Sequence, residues 1–366
     1  RKPRLPPPRS LDAPAYTLSQ PQPAMKFDSL TQLTAEAAKE TVQGTVFAQV
    51  AQNNTRTTKQ GKPYLEIVLA DADGSMSIKV WDNAPWHGAF APLQPNTAVA
   101  VTGNWQMNQY GMDAADLDVR PLTLDEEEAM LSGSPQLHER QENDWAQITE
   151  MAEGIRDPRL NMLCRALLET FEARFRRSGA ARGFHHARRG GLVEHTAGVM
   201  RNADALCGAY PQLNRDLLLA GALFHDCGKM WENCFEEHSF VMPYVESGEM
   251  LGHITMGIEI INKLWARIYT DERKEQWKDL CPASEQVRLH LLHLVASHHG
   301  LLEYGSPVMP KTPEALILHH ADDMDAKMEM FAQAYATQPE IGKGILQKKP
   351  PLPTNVVRPL PPCEQA

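Results

Sequence analysis

From Glu40 to Leu122 the apolar residues follow a strand-like pattern, and from Asp144 to about Ala336 they recur every third or fourth position. No single layer accommodates both periods, so the change divides the chain into a β-rich front and a helical back. A length of 366 residues is enough for two domains with separate cores.

In the front part, Thr45–Val50, Tyr64–Leu69, Ser77–Trp81, Ala98–Thr102 and Ala114–Val119 read as strands. A turn is expected at Asp71–Gly74 and a polar loop over Asn53–Gly61. Roughly five short strands without long helices suit a small closed barrel of the OB-fold, assigned to residues 40–122. The loop carries the only clear basic cluster there, so Arg56, Lys59, Lys62 and Trp81 are the candidate nucleic-acid contacts. Trp86, Trp105 and Tyr110 are further aromatics that serve either base stacking or the barrel core. Between Thr45 and Arg120 there are seven acidic against five basic residues, so the grip is modest.

Residues 123–143 are acidic and punctuated by glycine and serine, which reads as a linker with one helical turn. Residues 144–336 read as an all-α bundle, with Pro158 and Pro313 where first-turn prolines belong. The fold class is therefore multidomain α and β, a small N-terminal β-barrel followed by a helical bundle. Residues 1–39 are expected to be a variable extension, with Met25 a candidate start, and 337–366 a disordered proline-rich tail. No run approaches the length of a membrane span and no signal-peptide core is visible. Six scattered cysteines without a CxxC pair fit reduced thiols and a cytoplasmic location. A net charge of −10 argues against coating nucleic acid by bulk electrostatics.

Of 14 histidines only His87 and His138 precede residue 185, which places imidazole chemistry in the helical part. The apolar run Leu217–Phe224 ends in His225-Asp226, followed by Cys227-Gly228-Lys229. Imidazole and carboxylate side by side suit a divalent transition metal, and Lys229 can meet a phosphate. His195, His253, His298-His299 and Asp322 also stand at or near the ends of apolar helical segments. Asp322 shares an inward stripe with Ala315 and Leu318, where a carboxylate is costly unless paired or metal-bound. His290 and His293 read as structural or exposed, and His185-His186 as residues that line a substrate path at best.

The order His…His-Asp…His…His…Asp resembles the HD-domain metallophosphohydrolases. The phrases FHHA, GGLVEHT, LLLAGALFHDCGK, LGHI, SHHGLLEYGSPV and EALILHHADDMDAKM are similar to those of YhaM-type 3′→5′ exoribonucleases, as is the stretch from GTVFAQV to IKVWD. The resemblance covers most of Gly44–Met328 and implies an OB domain joined to an HD domain. It implies a metal-dependent phosphodiesterase releasing nucleoside monophosphates from the 3′ ends of single-stranded RNA and, as is often so in that family, also of single-stranded DNA. Mn2+ is the expected metal, one or two ions, with Mg2+, Fe2+ and Co2+ as alternatives, and a homo-oligomer is the expected assembly. By this resemblance His195, His225, Asp226 and Asp322 form a primary metal site. His253 and His298 hold a second metal or the scissile phosphate, with His299 beside them, and Lys229 neutralises a phosphate oxygen. Asp226, Lys229, His253 and His298 are thus the catalytic set.

Two positions depart from the family pattern. Arg188-Arg189 replace an aromatic and a smaller polar residue, which would alter substrate contacts, and Cys227 replaces an aliphatic residue as packing. The rival readings are a phosphohydrolase of small nucleotides and a non-catalytic single-strand-binding factor. No P-loop is present, which argues against phosphate transfer from ATP.

Overall fold

Alternation in the front part places Val46, Ala48, Ile67, Leu69, Ile78, Val80, Val99 and Val101 on one face, nearly all of them fully buried. The computed structural model describes residues 25–108, 111–183 and 185–362. Its front part begins with β1 (Met25–Lys26), α1 (Leu30–Ala37), β2 (Val42–Thr57), β3 (Pro63–Ala70) and β4 (Ser75–Trp81). It continues with α2 (His87–Phe90), β5 (Ala98–Asn108) and β6 (Gly111–Pro121). The sheet order is β4-β3-β2-β5-β6 with β1 parallel to β2, and the outer strands β4 and β6 approach one another to bend the sheet into a barrel. The first half of β2 pairs with β5 and the second half with β3, with a register shift at Val50/Gln52 where the strand bends. This is the OB arrangement expected from the strand spacing.

Two expectations for the front part are corrected, and one left open is decided. The extension is structured from Met25 onward, because Ser29 caps α1 and Leu30, Leu33 and Ala37 present one apolar face to the barrel core. Residues 1–24 lie outside the described residues. Asn53–Thr57 belong to β2, since each pairs with a β3 residue; only Thr58–Lys62 turn back. Trp105 is core: it is fully buried and its indole Nε1 donates to the Gly44 carbonyl at 3.0 Å. Tyr110 lies outside the described residues.

The expected linker is helical almost throughout, forming α3 (Leu124–Ser132) and α4 (Pro135–Glu153). A capping box between Thr123 and Glu126 starts α3, and its acidic first turn complements the helix dipole. Ser134 caps α4 with Pro135 behind it. The bundle adds α5 (Pro158–Phe175), α6 (Gly191–Ala209), α7 (Arg215–Phe224), α8 (Lys229–Glu232) and α9 (Glu246–Ile268). It ends with α10 (Asp271–Trp277), α11 (Ser284–Ser297) and α12 (Pro313–Thr337). Every residue of α7 from Leu217 to Phe224 is buried, as an all-round apolar helix requires, and α4, α5, α6, α11 and α12 pack around it.

The expected disordered tail is also corrected. After α12 the chain forms β7 (Glu340–Gly342), β8 (Ile345–Leu346) and β9 (Val356–Val357), a small antiparallel sheet. Leu346, Leu352 and Val356 are buried against Ala334, Met330, Phe331 and Tyr335 of α12, enough apolar surface to hold the segment down. Barrel and bundle meet at Gln49, whose carboxamide is 1% exposed. It accepts from Ser239 Oγ (3.0 Å) and Phe240 N (2.8 Å) and donates to the His238 carbonyl (3.0 Å).

Candidate metal centre

Five elements deliver side chains to one interior point. His195 stands on α6, His225 and Asp226 follow α7, His253 lies on α9, His298 and His299 follow α11, and Asp322 is on α12. Because α7 has no exposed face, the pair at its end opens into the bundle rather than into solvent. Gly252 breaks α9 with φ 69° and ψ 161°, a conformation that favours glycine, and this turns the following His253 inward.

The donor atoms form two sets. In the first, His195 Nε2 lies 3.2 Å from His225 Nε2, 3.4 Å from Asp226 Oδ2 and 3.1 Å from Asp322 Oδ1. His225 Nε2 lies 3.3 Å from Asp226 Oδ2 and 4.0 Å from Asp322 Oδ1. Four donors about 2.1 Å from one cation would stand about 3.0–3.4 Å apart, so the set fits a divalent ion. In the second set Asp226 Oδ1 lies 3.5 Å from His253 Nε2 and 3.6 Å from His298 Nε2, and His253 Nε2 lies 3.3 Å from His299 Nε2. Asp226 therefore belongs to both. Its Oδ1 and His298 Nε2 are buried with no hydrogen-bond partner among the described residues, which is costly unless an electrophile faces them.

Each imidazole is oriented by its other nitrogen. Nδ1 of His225 donates to the Ala222 carbonyl, of His298 to Val295 and of His299 to Tyr304, all at 2.7 Å. His253 Nδ1 donates to Glu232 at 2.8 Å and His195 Nδ1 to Asp325 at 2.7 Å. These bonds leave every Nε2 lone pair facing the centre. Burial pushes the imidazolium pKa of His253 and His298 down, and that of His299 to about 4, so these rings are neutral at pH 7, the form that can ligate a metal. Burial also disfavours charged His195, but Asp226, Asp322 and Asp325 outweigh it and raise its pKa well above the ordinary value. A cation among those carboxylates would take the proton's place. Burial opposes ionisation of Asp226, yet Lys229 and His225 hold its pKa well below the usual range. The Lys229 ammonium, 8% exposed, sits 2.6 Å from Asp226 Oδ2.

The HD domain family matches residues 192–327, the span that holds this centre. The 3′-5′ exoribonuclease YhaM of Geobacillus sp. (strain WCH70) is 33% identical over 277 residues, 75% of this chain and 79% of the relative. That of Bacillus subtilis (strain 168) is 31% identical over 275 residues, 75% of this chain and 82% of the relative. That of Oceanobacillus iheyensis is 31% identical over 293 residues, 79% and 85% respectively. The chain belongs to the YhaM 3′-5′ exoribonuclease family. Among solved structures, the second OB-fold domain of replication protein A from Methanococcus maripaludis aligns with 27% of this chain and 95% of its own, at 17% identity and a TM-score of 0.20. An HD domain implies a divalent metal, and the two donor sets are where this YhaM relative can hold it.

All six expected ligands converge, and Lys229 lies against them. The expected barrel residues do not join them. Arg56 and Trp81 flank Tyr64 across β2, β3 and β4, with the Tyr64 and Trp81 rings 5.5 Å apart, and Lys59 and Lys62 are exposed beside them. This row stands seven residues along β2 from Gln49, about 23 Å at ~3.3 Å per residue from the contact with the bundle. Arg56 Nε also donates to Glu66 at 3.2 Å. His290 is exposed and His293 Nε2 accepts from Lys311 N at 2.9 Å, so both stay outside the centre as expected. Cys227 is buried packing, 1% exposed. Arg188 is tied to Glu194 and Glu329, and the half-buried Arg189 is fixed to the carbonyls of Glu236, Glu237 and Ser239.

Sequence reasoning missed Asp325, Glu232 and Tyr64. Asp325 stands three residues after Asp322, so the helical stripe carried a signal for it. Gly198 makes room for it: a Cβ there would lie 1.9 Å from Asp325 Oδ1. Replacing Asp325 with asparagine is expected to weaken metal binding by about 10–100-fold, because His195 loses the acceptor that orients it. Calorimetric titration of the purified protein checks this, and an unchanged affinity would show that Asp325 does not hold the ring.

Proposed function

We propose that this chain is a metal-dependent 3′→5′ exonuclease that shortens single-stranded RNA, and single-stranded DNA as well, to nucleoside monophosphates in the cytoplasm. The observation that carries the reading is the carboxylate of Asp226 placed between two donor sets. His195, His225, Asp226 and Asp322 would hold one ion, and His253, His298 and His299 with the other oxygen of Asp226 a second ion or the scissile phosphate. Mixed imidazole and carboxylate donors suit Mn2+, with Mg2+, Fe2+ and Co2+ as competitors. When bound, such ions activate water and neutralise phosphoryl oxygens.

The protein's own side chains do the rest. Lys229 brings a buried positive charge to the edge of the centre, where it can neutralise a phosphoryl oxygen as charge develops. Glu232 and Asp325 keep the imidazoles oriented, so no reorganisation is needed when substrate arrives. On the barrel, the Arg56–Tyr64–Trp81 row with Lys59 and Lys62 offers a cation and stacking faces that tolerate any base sequence. No helix among the described residues is long and apolar enough to cross a membrane. A homo-oligomer is the assembly we expect, and exposed Leu251, which lines a groove with Phe171 and Trp231, together with its exposed neighbour Met250 supports a self-contact.

The test uses 5′-labelled single-stranded RNA with Mn2+, with chelator, and with a His225→Ala/Asp226→Ala variant. A descending ladder is expected only with metal and the intact protein. Strand binding without shortening would move the assignment to a small nucleotide substrate or a binding role.

A further inference from the structure

Four cations at the junction of barrel and bundle have no carboxylate partner within salt-bridge distance among the described residues, in a chain of net charge −10: Arg177, Arg182, Arg189 and Lys349. A cleft of about 590 Å³ runs between the β3–β4 turn and the bundle, lined by Arg182, Arg189, Lys349, Phe235 and Phe240. A second cleft, of about 620 Å³, meets it at Arg189 and is lined by Arg177, whose Nε is buried without a partner. Arg182 and Arg189 spend their N–H groups on backbone carbonyls, which fix the guanidiniums but leave their charge uncancelled. Facing carboxylates are Asp71 and Asp73 in the first cleft, and Glu127, Glu128, Glu142 and Glu237 in the second, where Glu142 is taken by Arg176. Asp71 is turned to backbone N–H groups of Leu30, Asp73 and Gly74. The first cleft is therefore the more cationic.

The same loop walls the cleft and the metal centre. Arg182 Nη2 donates to the Glu232 carbonyl at 2.7 Å, and the Glu232 carboxylate holds His253. Three residues after Arg182, the His185 ring lies 5.3 Å from that of His195.

We propose that the cleft between barrel and bundle is a backbone-phosphate site, in which Arg182, Arg189 and Lys349 hold the single-stranded substrate on its way to the metal centre. This rests on the exonuclease reading. Fixed guanidiniums and a free ammonium suit phosphodiester oxygens, and Phe235 and Phe240 give the cleft apolar walls.

The test measures binding of a fluorescent single-stranded oligonucleotide to the full chain in chelator, apart from catalysis. Lys349→Glu is expected to weaken binding about tenfold and to reduce the salt slope by about 0.7 for each phosphate that is no longer neutralised. The same reversal at Lys278, the C-cap of α10, is expected to leave binding unchanged. Asp73→Lys is expected to tighten it severalfold. Equal effects at Lys349 and Lys278, or no effect at Lys349, would overturn the proposal. Should Lys349→Glu fail to fold, Asp73→Lys decides, and an unchanged affinity there overturns it. A wild-type protein that binds the strand but never shortens it with Mn2+ would instead sink the exonuclease reading, with the cleft still judged by binding.

Discussion

Replacing Asp226 with asparagine is expected to lower turnover by about three orders of magnitude and to remove most of the stabilisation that metal confers. One carboxylate faces His195 and His225 with Oδ2, and His253 and His298 with Oδ1. An amide keeps one acceptor oxygen and turns an N–H₂ donor on the other set, so one set loses a ligand and both lose the negative charge. A second cost arises in the metal-free protein. Lys229 is 8% exposed and 2.6 Å from Asp226 Oδ2, and breaking a buried pair from one side costs about 3–5 kcal/mol. Single-turnover kinetics and thermal unfolding with and without Mn2+ report the two effects separately. For the wild type, metal at a hundredfold over its Kd adds about 2.7 kcal/mol, and the variant should show little of this. Turnover within tenfold of wild type would refute the bridging role.

Arg188→Leu is expected to destabilise the fold by about 3 kcal/mol at pH 7, with an effect that shrinks in acid. Glu194 is 4% exposed and accepts from Arg188 Nε at 2.9 Å and Nη2 at 2.5 Å and from Gln141 at 2.9 Å, and it forms an ion pair with Arg140 at 3.1 Å. Burial alone would raise its pKa, but Arg188 and His186 outweigh burial and hold it well below the usual carboxylate range. In the unfolded chain Glu194 takes up a proton near its ordinary value of 4.5, whereas in the folded protein it stays ionised. Its contribution is therefore complete above that value and is lost as pH falls through the depressed folded value. Urea unfolding of both proteins from pH 7 to pH 3 checks the sign, and a gap that did not narrow in acid would place the effect elsewhere. The resemblance pointed to altered substrate contacts at Arg188; the structure commits its guanidinium to Glu194 and Glu329 instead.

Much of the centre was legible in the sequence because local order carried it. An apolar helix without an exposed face must be buried, so the His225-Asp226 pair at its end had to open into the interior. His195, His253, His298 and Asp322 end or punctuate similar segments, and all of them arrive at the same place. The helical stripe pointed to the face of Asp325 but not to its task, and no local pattern pointed to Glu232. Their role is set by the imidazole nitrogens they meet across the bundle, contacts of 130 and 21 residues in separation that no local period encodes. The acidic stretch after residue 122 misled for the opposite reason: its glycine and serines punctuate two capped helices rather than a loop.

The amino-acid sequence by itself determined the two periods, hence the barrel and the bundle, together with the residue types able to bind a cation and the family that uses them. Short-range periodicity and side-chain chemistry suffice for that. Only the tertiary structure decided that Asp226 stands between two donor sets, that Arg56, Tyr64 and Trp81 form one row across β2, β3 and β4 away from the contact with the bundle, and that the proline-rich end packs on α12. Each depends on which distant surfaces meet once apolar faces are buried, and that outcome belongs to the whole chain rather than to any stretch of it.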